Sequence, residues 1–195
     1  MRNSKIHRKT RETDIKVDLD LDGTGQSAIQ TGIDFFDHML NHLALHGFFD
    51  LEIEAQGDLE VDAHHTIEDC ALALGQAFNE ALGERSGITR MGSAYVPMDE
   101  ALALVVVDLS GRPYCVFQAE WHGAMIGQMP VSMVKHFFSS LAVTMRANVH
   151  GQLLRSEDDH HGAEALFKAL GRALGDSCRK HSRREDSIPS TKGTL

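Results

Sequence analysis

Cysteine is scarce: the 195 residues hold three, at positions 70, 115 and 178. They are odd in number and far apart, which argues against a disulfide framework and fits buried thiols in a reducing compartment, so a cytoplasmic location is expected. Long apolar runs are also missing. The longest, ALALVVV at 101–107, is a strand's length and far too short to span a bilayer. The opening MRNSKIHRKTRETDIKV is basic but has no apolar core behind it, so no signal peptide and no membrane partner are expected. Nor is there a basic excess. Lys and Arg total 19 against 28 Asp and Glu, a net charge of −9 with no basic arm or stripe, and no nucleic-acid partner is expected. Hydrophobic content of 42% and charged content of 24% are ordinary for a globular chain, which at this length can bury a proper core.

Histidine, in contrast, is abundant at twelve residues, and its placement follows the organisation of the chain. IKVDLDLDG (15–23) alternates apolar and acidic residues and ends in Asp-Gly, reading as a half-exposed strand and turn. GIDFFDHMLNHLALHG (32–47) has Ile33, Phe36, Met39, Leu40 and Leu43 at helical spacing and predicts a helix capped at Gly47. FFDLEIEAQGD (48–58) puts Phe49, Leu51, Ile53 and Ala55 on one face of a strand. A helix then opens at DAHH (62–65), with the apolar stripe Ile67, Ala71, Leu74, Phe78 and Leu82, and closes at Gly83. After the loop GERSGITRMG (83–92) the order recurs. EALALVVVDLSGRPYCVFQAEW (100–121) reads as a hairpin about Ser-Gly-Arg-Pro, PVSMVKHFFSSLAVTM (130–145) as a helix opened by Pro130, and ANVHGQLLRSED (147–158) as a strand before a second His-His helix. The polar tail HSRREDSIPSTKGTL (181–195) looks irregular.

Advancing by 96 positions carries His64, His65 and Glu68 onto His160, His161 and Glu164, and Leu74-Gly75 onto Leu170-Gly171. Advancing by 98 carries His38 onto His136. An internal duplication is expected: an α+β fold of two half-repeats, 1–93 and 94–195, each a small antiparallel sheet with two helices.

On a helix each residue advances about 100°, so with His64 at zero, His65 lies near 100° and Glu68 near 40°. The carboxylate can serve beside either imidazole, whereas the adjacent histidines diverge too far to chelate one ion easily and are read as serving two. The duplication makes the candidate ligand set His38, His64, His65 and Glu68 with His136, His160, His161 and Glu164. Eight ligands for two ions give each three imidazoles and a carboxylate, leaving two octahedral positions open for substrate and water, a count that favours Mn²⁺ or Fe²⁺ over four-coordinate zinc. His7, His42, His122, His150 and His181 lack the symmetry and are expected to be solvent-facing or structural. His46 is intermediate, at i+8 from His38 on the same helix. Arg90, Arg112 and the Ser-Thr-Lys-Gly run at 190–193 form a cationic set suited to an anion, although spacing alone reads the tail as disordered and an exposed Arg as solvated.

Together these motifs resemble one family, imidazoleglycerol-phosphate dehydratase. RKTRETDI (8–15), FFDHML (35–40), LALHG (43–47), DAHHTIED (62–69), LGERSGITR (82–90), PMDEAL (97–102), DLSGRPY (108–114), VKHFF (134–138), HHGAEALFKALGRAL (160–174) and SIPSTKG (187–193) carry the resemblance over nearly the whole chain. It implies two four-stranded, mainly antiparallel sheets with helices packed on one face of each, and a second half ending in a substrate-binding tail. It also implies a 24-subunit homo-oligomer with active sites at subunit contacts and two Mn²⁺ ions per site, bound by the eight residues above. The implied reaction is dehydration of D-erythro-1-(imidazol-4-yl)glycerol 3-phosphate to 3-(imidazol-4-yl)-2-oxopropyl phosphate, in histidine biosynthesis. Phosphate contacts fall on Arg90, Arg112, Ser190 and Lys192, and Thr191 is implied as substrate-binding. The segment His38 to His46, with His64, His65, Glu68 and His160, lines the substrate. Glu12 is implied as the substrate-contacting acid, and Glu12 and His46 are the catalytic candidates. Two other classes remain open on the residues alone: a dinuclear metallohydrolase, disfavoured by the lack of bridging Asp, and a metal-storage or metal-stabilised assembly protein.

Overall fold

In the computed structural model, residues 2–183, 187–193 and 195 are described; the expected second half-repeat and its tail also include 184–186 and 194, which lie outside them. The first half runs β1 (Asn3–Lys9), β2 (Thr13–Asp20), β3 (Ser27–Gln30), α1 (Asp34–Gly47), β4 (Asp50–Gly57) and α2 (His64–Leu82). The second runs β5 (Met91–Met98), β6 (Ala101–Asp108), β7 (Tyr114–Gln118), the two-residue strands β8 (Met125–Ile126) and β9 (Met129–Pro130), α3 (Ser132–Met145), β10 (Asn148–Arg155) and α4 (Asp159–Cys178). The expected division at 93/94 falls inside β5.

Two four-stranded sheets result, ordered β1-β2-β4-β3 and β5-β6-β10-β7. Each has two antiparallel pairings and one parallel edge pairing, β3 on β4 and β7 on β10. This corrects the expected hairpin at 110–113. β6 and β7 are not neighbours, because β10 pairs with both and lies between them. The period-2 pattern sets the buried faces: Ile15, Val17 and Leu19 of β2, Leu51 and Ile53 of β4, and Ala103, Val105 and Val107 of β6 all point to the core. β1 has only Ile6 buried and β3 has no buried residue, so neither carries an alternating signal.

The helices lie between the sheets. α2 packs on β1 and β2, and α4 on β5 and β6, while α1 packs on α4 and α3 on α2 across the two halves. Glycine permits both crossings. A Cβ on Gly171 would stand 2.6 Å from the Leu43 carbonyl oxygen, and one on Gly75 would stand 2.6 Å from that of Leu141. Gly47 serves the same contact, since a Cβ there would stand 3.0 Å from the Gly171 carbonyl oxygen. The left-handed cap expected at Gly47 is instead at Phe48, with φ 59°, because the helix needs the small residue one position earlier. α3 starts at Ser132 rather than at Pro130, which is held in the β8–β9 ribbon. Gly171→Ala should cost about 1–3 kcal/mol through overpacking against backbone that cannot yield, lowering the thermal midpoint by several degrees. An unchanged midpoint would show that the helices separate without cost.

Candidate metal centre and substrate site

Both His-His helices begin alike. Asp62 Oδ1 accepts the His64 N–H at 2.7 Å, and Asp158 Oδ1 accepts the His160 N–H at 2.7 Å. These aspartates are themselves 96 positions apart, and they fix the first turn from which the imidazoles project.

Two clusters of metal-ligating atoms form, each drawn from both halves. His38 of α1 meets His160 and Glu164 of α4, and His136 of α3 meets His64 and Glu68 of α2; within each trio the candidate ligand atoms lie within 4.8 Å of one another. In the first, Glu164 Oε2 is 3.1 Å from His38 Nε2 and 3.3 Å from His160 Nε2. In the second, Glu68 is 3.6 Å from His64 Nε2 and 3.5 Å from His136 Nε2. His136 Nε2 is buried with no hydrogen-bond partner among the described residues, a nitrogen aimed at its cluster and left unpaired. Two imidazoles and a carboxylate suit a divalent transition ion, and this orphaned nitrogen fits such an occupant.

Glu164 is 5% exposed. Burial alone would raise its carboxyl. Lys168, with Nζ 2.5 Å away, and His42 and His38 outweigh that and hold it down at about 2. Lys168 and His42 have no equivalents in the second cluster, where Leu72 and Ser140 occupy the shifted positions.

Of the two roles expected for His42, solvent-facing or structural, the structure supports the second: it is half-buried beside the first cluster. Its Nε2 lies 3.2 Å from both His38 Nε2 and Glu164 Oε1, and burial, over the opposing pull of Glu164, lowers it to about 4, so the ring is neutral. Spacing hinted at this: His38, His42 and His46 are i, i+4 and i+8, one face of α1. His46 stacks on His42 with centroids 5.7 Å apart and is lowered by burial, then by Lys168 and Arg172. The other unpaired histidines are on the surface; His7 bonds Asp14 at 2.7 Å and His122 bonds the Ser156 carbonyl at 3.2 Å.

His65 and His161 do not join these clusters. Each turns the other way, as their angular divergence requires, and meets a carboxylate through Nδ1: His65 with Asp58 at 3.0 Å, and His161 with Glu100 at 2.9 Å. Both carboxylates raise their histidine. Glu68 therefore sides with His64 alone. Glu12, in the exposed β1–β2 turn, has its carboxylate 3.9 Å from His65 Nδ1.

The cationic set gathers elsewhere. Arg90 adopts φ 75° and grips Asp108 with Nε at 2.7 Å and Nη2 at 3.0 Å, while Nη1 donates to the Pro189 carbonyl at 2.7 Å. This ties the tail to the sheet. Ser190 is half-buried, Thr191 and Lys192 are exposed, and the Ser190 hydroxyl accepts the Lys192 N–H at 3.2 Å. Arg112 is exposed in the turn whose Gly111 abuts Leu195. The Arg90 N–H bonds the Ser177 carbonyl, near the far end of α4 from His160. Seventeen residues of helix separate these points by about 25 Å.

The sequence pattern of imidazoleglycerol-phosphate dehydratase matches residues 31–174. The chain belongs to the imidazoleglycerol-phosphate dehydratase family. It is 54% identical over 195 residues to the enzyme so named from Methanothermobacter thermautotrophicus, covering all of this chain and 98% of that protein. It is 53% identical to that of Chloroflexus aurantiacus, covering 100% and 95%. A crystal structure of the Pyrococcus furiosus enzyme in complex with (S)-C348 superposes with a TM-score of 0.85 at 39% identity, covering 97% of this chain and 100% of that one. The chain is accordingly a hydro-lyase that dehydrates imidazoleglycerol phosphate. No described helix is long and apolar enough to cross a membrane.

Proposed function

We propose that this dehydratase works with two Mn²⁺ ions per active site, in histidine biosynthesis in the cytoplasm, and that each site is completed by residues of neighbouring subunits in a 24-subunit shell. The observation that carries this reading is the pair of clusters, His38–His160–Glu164 and His64–His136–Glu68, each short of the fourth donor that His65 and His161 turn outward. A neighbouring copy that brings in one outward histidine gives each ion three imidazoles and a carboxylate. The two half-repeats, divided just before β5 rather than at 93/94, are the duplicated unit that makes the site two-fold.

Separation within the chain supports the subunit contact. The point on α4 that the Arg90 backbone grips, Ser177, and His160 of the first cluster stand about 25 Å apart along the helix, beyond the span of an imidazole joined to a three-carbon phosphate. One substrate therefore draws its ring contacts and its phosphate contacts from different copies. Arg90 has five N–H donors and spends three on Asp108 and Pro189, leaving two for phosphate beside Arg112, Ser190, Thr191 and Lys192.

The hydrogen to be removed, on the central carbon, is not acidic, so the ring must supply the electrons that expel the hydroxyl of the carbon that bears it. Held by His38, His160 and Glu164 and by His64, His136 and Glu68, the metal ions would supply the positive charge that stabilises an electron-rich ring. His38, His64, His65 and His160, with Glu68, shape that ring pocket. His46, at the end of the α1 imidazole row, aids departure of the hydroxyl. Glu12, exposed and beside His65, then moves the proton at carbon, and the enol collapses to the ketone.

Metal analysis of the purified assembly, joined to a dehydratase assay with and without chelator, tests the proposal. It predicts two Mn²⁺ per chain, loss of turnover on chelation, and recovery on Mn²⁺ return without release of inorganic phosphate. Full turnover by metal-free protein contradicts it. Lys192→Ala should raise KM by about 10-fold or more while leaving kcat nearly intact, since a phosphate contact binds ground and transition states alike. An unchanged KM removes Lys192 from the phosphate site.

A further inference from the structure

Two carboxylates outside the ligand set hold the two outward histidines. Asp58, in the loop between β4 and α2, accepts from His65 Nδ1 at 3.0 Å. Glu100, in the β5–β6 turn, accepts from His161 Nδ1 at 2.9 Å. We propose that Glu100 and Asp58 are positioning residues that fix His161 and His65 as Nδ1–H tautomers, so that each ring presents a bare Nε2 to a metal ion of a neighbouring subunit. The inference rests on the reading of His65 and His161 as metal ligands.

The chemistry is specific. A neutral imidazole carries one N–H, and the nitrogen that bears it cannot ligate. A carboxylate on Nδ1 fixes the proton there, sets the ring plane and makes Nε2 more basic. His65 and His161 lie half-buried in the first turns of their helices, and among the described residues these carboxylates make the only hydrogen bonds to either ring.

The two carboxylates do not come from equivalent places, and the difference bears on Glu12. Glu100 occupies the β5–β6 turn, the counterpart of the β1–β2 turn that holds Glu12. By equivalence Glu12 would hold His65, yet it stands 3.9 Å from Nδ1, and Asp58 has taken the nearer place. Glu100 is fully engaged: Oε2 accepts from His161, and Oε1 accepts the backbone N–H groups of Glu157 at 3.3 Å and Asp158 at 3.0 Å. Asp58 thus releases Glu12 for proton transfer in one half, while in the other half the equivalent acid remains a positioning group.

The test is a chelator competition for Mn²⁺ on the full assembly. Glu100→Ala and Asp58→Ala should each weaken Mn²⁺ binding by about 10–100-fold. Glu100→Gln and Asp58→Asn keep an acceptor oxygen and should fall between these and the parent. A purely structural role would instead lower the thermal midpoint of the metal-free protein, and the amide variants should leave that midpoint and the assembly size unchanged. His161→Ala and His65→Ala separate the two claims. Loss of metal in these, with parental affinity in all four carboxylate variants, overturns the positioning role and spares the ligand reading. Retention of two tightly held ions in both histidine variants overturns the ligand reading and the inference with it.

Discussion

Glu164→Gln should lower turnover on the order of 10³-fold, reduce bound Mn²⁺ from two to one per chain, and destabilise the fold. The carboxylate is the only anionic donor of the first cluster, and its two oxygens face His38, His160, His42 and Lys168. Removing its charge weakens the ion that activates the ring and leaves Lys168, whose side chain is 18% exposed, without its counter-charge. Breaking a buried pair from one side costs about 3–5 kcal/mol. Glu68→Gln is the control. Its side chain is 37% exposed and faces no lysine, so it should lose metal and turnover equally while the thermal midpoint of metal-free protein hardly moves. Dehydratase assay, metal count and melting curve on both variants check this. Equal stability losses would mean that the asymmetry between the clusters has no energetic weight.

Glu12→Gln should behave in the opposite way, with two ions retained, the fold unaffected and kcat reduced by about 10²–10⁴-fold, the contribution expected of a positioned acid–base group. Glu12 is in an exposed turn, holds no described side chain in place, and leaves the restraint of His65 to Asp58. Its loss therefore touches proton transfer and little else. Near-normal turnover would remove it from the reaction.

The sequence made the duplicated plan, the buried faces of β2, β4 and β6, and the paired His-His-x-x-Glu helices legible because each rests on a local period. β1 and β3 were not legible, because edge strands with exposed faces carry no alternation. The false hairpin at 110–113 has the same origin: Ser-Gly-Arg-Pro is a turn signal, whereas the insertion of β10 between β6 and β7 is decided by pairing across more than thirty residues of chain. In the candidate site, the divergence of His64 from His65 implies two directions, and the two rings do point apart, His64 to Glu68 and His65 to Asp58. It could not show that His38 meets the helix of the other half, since that depends on how α1 crosses α4 at Gly171. His42 was set aside for want of a symmetric partner, although its i+4 spacing from His38 already placed it on the same face. Arg90 reads as a solvated loop residue by position alone, because its partners, Asp108 and the Pro189 carbonyl, are 18 and 99 residues away in sequence.

The central claim is that one active site takes its metal clusters and its phosphate contacts from different subunits. Co-assembly of two inactive variants tests it most directly. Glu164→Gln disables the first cluster, and the double variant Arg112→Ala, Lys192→Ala disables the phosphate end. Unfolded together and refolded into mixed assemblies, they should regain dehydratase activity that neither shows alone, because some sites then combine an intact cluster from one copy with an intact phosphate end from another. Mixed assemblies of normal size that remain as inactive as the two parents would contradict the account.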